Sequence, residues 1–118
     1  MNESTIYAKS EAFALRIIKL YNYLCKEHKE FVLSKQLLRS GTSIGANCRE
    51  AYRAQSPADF TAKLGIALKE AEESAYWLEL LAETNYLTKD QFDSIYADNE
   101  ELIKLLVSII KTTKLHNS

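Results

Sequence analysis

The sequence is poor in everything that breaks a helix. One proline and three glycines are spread over 118 residues, and a chain with so few breakers favours long helices over strands and turns. No run approaches the roughly eighteen apolar residues of a membrane span; the longest stretch, residues 105–110, already contains Ser108. The first twenty residues lack the apolar centre of a signal peptide, since Asn2, Glu3, Lys9, Glu11 and Arg16 interrupt it, so a cytoplasmic protein is expected. Cys25 and Cys48 lie on apolar-periodic faces without CxxC spacing, which reads as buried, reduced thiols, not a disulfide or metal ligands. Of the two histidines, His28 and His116, neither has a glutamate three residues before it, so the paired Glu-x-x-His motifs of a di-metal bundle are missing. No Ser-His-Asp or Cys-His set follows from spacing. Neither metal, cofactor nor enzymatic activity is expected.

What the chain does have is periodicity. Apolar residues recur at alternating steps of three and four in four segments, the mark of a helix with one buried stripe. The first seam runs Ile6, Phe13, Ile17, Leu20, Leu24, Phe31; the second Leu37, Gly41, Ile44, Cys48, Ala51. The third runs Phe60, Leu64, Ala67, Ala71, Ser74, Leu78, Leu81; the fourth Phe92, Ile95, Asn99, Leu102, Leu106, Ile109. "SPAD" offers Ser56 as N-cap, Pro57 at the first helical position and Asp59 in the first turn. "TKDQ" offers Thr88 and Gln91 as a capping box. Ser34 is the expected opening of the second helix, after the short "HKEFVL" connection. Short connections imply an all-α, antiparallel up-down-up-down four-helix bundle, one domain over 1–118.

The stretch "LLRSGTSIGANCREA", residues 37–51, crowds glycine, serine and threonine as a phosphate loop would. It lacks the preceding strand and the GxxxxGK[ST] or GxGxxG spacing of such loops. Gly41 and Gly45 instead stand one turn apart on a helix. Each costs about 1 kcal/mol relative to alanine, a cost that close approach of another helix would offset. One helix over 34–55 is therefore expected. Beside that seam runs a polar stripe, Gln36, Ser40, Ser43, Asn47 and Glu50, matched on the third helix by Ile66, Glu70, Glu73, Trp77 and Leu80. Half-buried polar groups need partners, so hydrogen bonds between helices two and three, or across subunits, are expected, with Glu70 and Glu73 as partners of Arg39, Arg49 or Arg53. A ligand pocket at Asn47, Glu50 and Glu70 is the alternative.

"QLLRSGTSIGANCREA" followed by "SPADFTAKLGIALKEAEESAYWLELL" resembles the 23S rRNA intervening-sequence protein family, small bacterial four-helix bundles. The match rests on Leu37, Arg39, Ser40, Ser43, Ile44, Asn47, Glu50 and Ala51, then on Phe60, Leu64, Ala67, Glu70, Glu73, Trp77 and Leu78. A similar protein, the accessory variability determinant of diversity-generating retroelements, forms a barrel-like homopentamer that associates with nucleic acid. The resemblance thus implies a ring-like homo-oligomer, a pentamer by that likeness, and association with RNA or DNA.

The charge departs from that relative's strongly basic surface. The net value is −1, which offers little general attraction to phosphate. It is also uneven: residues 1–56 carry nine Lys/Arg against five Asp/Glu, residues 57–118 six against eleven. The candidate nucleic-acid contacts are Arg16, Lys19, Lys35, Arg39, Arg49 and Arg53, with Lys26 beside them and Tyr21, Tyr23 and Tyr52 interleaved; a solvated face is the plainer reading. The candidate interhelix or subunit interface is Ser43, Asn47, Glu50, Glu70, Glu73, Tyr76 and Trp77, since aromatic residues and arginine are enriched at such contacts. Two functions follow: a homo-oligomeric, nucleic-acid-associated accessory protein, or a scaffold that recruits a protein partner without touching nucleic acid.

Overall fold

The computed structural model describes residues 3–116 as four helices: α1 (Glu3–His28), α2 (Leu33–Tyr52), α3 (Pro57–Glu83) and α4 (Lys89–His116). At 1.5 Å per residue α4 alone is about 42 Å long, so the helices lie along the long axis of a body 48 × 21 × 19 Å. Direction follows from the pairs that meet across the seams. Arg49 of α2 reaches Glu11 of α1, while Ser34 meets Cys25. Glu50 pairs with Lys63 of α3, and Arg39 with Glu70 and Glu73. Asn99 of α4 reaches Ala71, and Tyr96 reaches Glu79. Lys9 meets Glu101 and Arg16 meets Asp98. In every pair of neighbours the numbers run oppositely, which is the up-down-up-down order.

The four seams form one buried core, with Leu37, Ile44, Cys48, Leu64, Ala67, Ala71, Leu78, Leu81, Leu102 and Leu106 all but sealed from solvent. Phe60 and Phe92 are half-buried against its edge. The first seam holds from Ile6 to Leu24 but not to Phe31, which lies in the 29–32 connection and is 56% exposed. Its spacing from Leu24 is a coincidence, because the helix has already ended at His28. Asn99 sits in the fourth seam fully buried. Its Nδ2 donates to the Ala71 carbonyl at 2.9 Å, and its Oδ1 has no partner among the described residues.

The helix ends show local chemistry at work. The Asp59 N–H donates to Ser56 Oγ at 3.0 Å, with Pro57 next in line. Thr88 and Gln91 exchange reciprocal bonds, 2.9 and 3.1 Å. The end of α3 is a Schellman motif: Tyr86 N–H to Leu81 O, Asn85 N–H to Ala82 O, and Asn85 at φ 68°. The start of α2 differs from expectation. Ser34 is not its cap; the carboxylate of Glu30 accepts from the N–H groups of Val32, Leu33 and Ser34 at 3.1, 3.0 and 2.7 Å, and the Ser34 hydroxyl donates to the Glu30 carbonyl at 2.8 Å. An anion suits the positive end of a helix. Burial opposes ionisation of Glu30, but these backbone donors outweigh it and hold the carboxyl below its ordinary value. The far end of α2 also falls short: the helix stops at Tyr52, so residues 53–55 are not part of it.

Candidate interaction surfaces on the two flanks of α2

On the α1 flank, glycine lets the helices close. A Cβ on Gly41 would stand 2.8 and 2.9 Å from side-chain carbons of Ile17, and one on Gly45 would stand 3.4 Å from the Ser10 carbonyl oxygen. Residues 37–51 are helix throughout, and Gly41 is the glycine that the approach of α1 requires. Because the residues that face each other there are small, the surface above them is hollow. A groove of about 610 Å³ runs between Tyr7, Ser10, Glu11 and Ala14 of α1 and the second half of α2 from Thr42 to Tyr52, with Arg53 just beyond the helix end. Tyr7 and Tyr52 meet edge to face, centroids 5.2 Å apart. Below the groove floor, burial pushes the Cys48 thiol up to about 11 despite a hydrogen bond with Ser10. Cys48 is sealed as expected, but Cys25 is only half-buried.

On the α3 flank, polar groups close the surface. The Ser74 hydroxyl donates to the Ser40 hydroxyl at 2.9 Å in the buried layer. Above them Arg39 reaches Glu70 at 3.4 Å and also pairs with Glu73, which accepts from Trp77 Nε1 at 3.1 Å. Glu50 pairs with Lys63 at 3.0 Å. The expected α2–α3 bonding thus holds for Ser40, Glu50, Glu70 and Glu73. It does not hold for Ser43 and Asn47, whose side chains donate to the carbonyls of Arg39 and Ser43 on their own helix. Tyr76 lies against Trp77 with ring centroids 5.1 Å apart and is 53% exposed, and Ile66 at the other end of the row is 44% exposed.

The basic residues of α1 and α2 do not gather on one side. Arg16 turns to α4, where Asp98 lies at 2.6 Å and Ser94 accepts at 3.0 Å. Arg39 turns to α3, and Arg49 to Glu11 at 3.2 Å. Lys19, Lys35 and Arg53 have no ion-pair partner among the described residues. Sequence reasoning noticed Tyr52 and Arg53 but missed Tyr7, Ser10 and Ala14, which complete the groove; only the azimuth of α1 against α2 brings them there.

Glu70 and Glu73 have no third acidic, histidine or cysteine group near them, and among the described residues no three such groups converge as a metal ion requires. No described helix is long and apolar enough to cross a membrane. Comparison with curated proteins finds no match. The chain is similar to a crystal structure of a protein of unknown function from the S23 ribosomal protein family of Bacteroides thetaiotaomicron VPI-5482: 60% identity, TM-score 0.93, over 94% of this chain and 99% of that one. The family model described as 23S rRNA-intervening sequence protein matches residues 2–108. The architecture and that match agree with the resemblance carried by residues 36–51 and 56–81, and the chain belongs to the 23S rRNA-intervening sequence protein family.

Proposed function

We propose that this protein is a non-catalytic, cytoplasmic assembly subunit whose α2–α3 face meets a different face of the next copy, forming the ring of five that the family likeness suggests. One observation carries the reading: Tyr76, Trp77 and Ile66 flank an arginine whose partners, Glu70 and Glu73, are already in place. Aromatic side chains and arginine anchor protein contacts, and an anchor held before association loses less freedom on binding. The uneven charge of the two halves favours a head-to-tail contact, which closes into a ring when the rotation allows. Light scattering at micromolar concentration tests this: an oligomer dispersed by Tyr76→Glu is expected, and a wild-type monomer would remove the reading.

A second reading, contact with RNA or DNA, is favoured by the free cations. Arg53, Lys19 and Lys35 carry charge that no carboxylate of the described residues neutralises, and each phosphate they neutralise would make affinity fall with salt. The scaffold that binds only protein is its competitor. Retention of nucleic acid by the purified protein, lost on raising salt, supports the second reading; a partner protein recovered after nuclease treatment supports the competitor.

A further inference from the structure

We propose that the α1–α2 groove binds one nucleotide unit, with the base against Tyr52 and the phosphate on Arg53 and Arg49. The proposal rests on the nucleic-acid reading above and gives it a site. The volume, about 610 Å³, falls within the range of small-molecule sites. Its floor is built from small residues, Ser10 and Ala14 of α1 facing Gly45 and Ala46 of α2. Tyr52, the last residue of α2, is 68% exposed, yet its edge-to-face contact with Tyr7 gives the ring a fixed neighbour. Aromatic platforms of this kind stack any base. Arg53 follows at once in the chain, without an ion-pair partner among the described residues. Among the described residues Arg49 pairs with Glu11 alone, and the two side chains are 76% and 65% exposed; such pairs are weak, so Arg49 is free to exchange its carboxylate for a phosphate.

The floor offers little for reading base identity. The Ser10 hydroxyl already donates to the Tyr7 carbonyl and the Thr42 hydroxyl to the Leu38 carbonyl, so each can only accept from a base. Binding should therefore discriminate weakly among bases. A nucleotide phosphate could come from free nucleotide or from a single strand, and the two are separated by titrating each.

Calorimetry of the full chain with adenosine 5′-monophosphate, with a short single-stranded oligonucleotide and with inorganic phosphate provides the test, alongside Tyr52→Ala and Arg53→Ala checked for unchanged helicity. At least one nucleotide probe is expected to bind, at least fivefold more weakly to either variant and more weakly as salt rises. Inorganic phosphate is expected to bind at least tenfold more weakly than that probe. Binding by the mononucleotide alone identifies free nucleotide as the source; binding by the strand, with the same sensitivity to both substitutions, identifies nucleic acid. Strand binding that survives both substitutions overturns the groove while sparing the broader reading. No binding by any probe removes both, and phosphate binding as strong as nucleotide binding overturns the stacking that the proposal requires.

Discussion

The two flanks of α2 solve the same problem in opposite ways. Toward α1 the helix removes bulk: Gly41 makes room for Ile17, Gly45 lies beside the Ser10 backbone, and a groove runs between the two helices. Toward α3 it adds polar groups, the Ser40–Ser74 pair below and the Arg39, Glu70, Glu73 and Trp77 network above, and the surface is closed. Removing bulk gives proximity with a cavity at the rim. Adding paired polar groups gives a finished face with fixed anchors.

The largest break in this comparison is Gly41→Leu. Ile17 is fully buried and its branch carbons lie against the site, so overpacking should lower stability by up to about 3 kcal/mol, read as a fall in denaturation midpoint. Adding Ile17→Ala should make the two changes non-additive by about 1 kcal/mol or more. Glu30→Gln comes next, since it weakens the cap that sets how α2 leaves α1; hydrogen bonds to a charged group are worth about 1.5–3 kcal/mol each, and a loss of about 2 kcal/mol at pH 7 is expected. The lowered value of Glu30 means its stabilisation is complete above the unfolded carboxyl value of about 4.3 and is lost as pH falls through the folded one. The gap between wild type and variant should therefore close below about pH 4.

Arg39→Ala and Arg49→Ala compare the flanks directly. The first strands Glu70, whose side chain is 17% exposed, and should cost about 1 kcal/mol; the second breaks an exposed pair and should cost less than about 0.5 kcal/mol. Equal losses in urea melts would contradict the contrast. The smallest effects are gains. Gly65 has nothing within 4 Å of an added Cβ, so Gly65→Ala should add up to about 1 kcal/mol through helix propensity. Gly45→Ala, whose Cβ would touch the Ser10 carbonyl, should gain less.

The α3 flank was the more legible in the sequence. Its stripes of three and four place Ser40, Glu70, Glu73 and Trp77 on facing sides, and spacing within a helix fixes relative azimuth. The α1 flank was less so. The end of α1 carries no glycine or proline; Lys29 itself takes the left-handed turn at φ 53°, and Phe31 continued the period by chance. Glu30 matched no familiar cap pattern, since it accepts from the residues two to four ahead of it and stands outside any Ser/Thr-x-x-Glu box. Arg16 looked like a neighbour of Arg39 and Arg49 because all three lie on α1 or α2; the partner that turns it away, Asp98, is 82 residues on. A groove needs small residues from two helices at one height, and periodicity within either helix does not reveal the other.

Hydroxyl-radical footprinting of the wild-type protein, diluted and concentrated, tests most directly whether the closed flank is the one that associates while the hollow one stays open. Oxidation of Tyr76 and Trp77 should fall as concentration rises, with Tyr52 reacting equally in both samples. Protection of Tyr52 with Tyr76 unchanged would contradict the assignment of the two flanks.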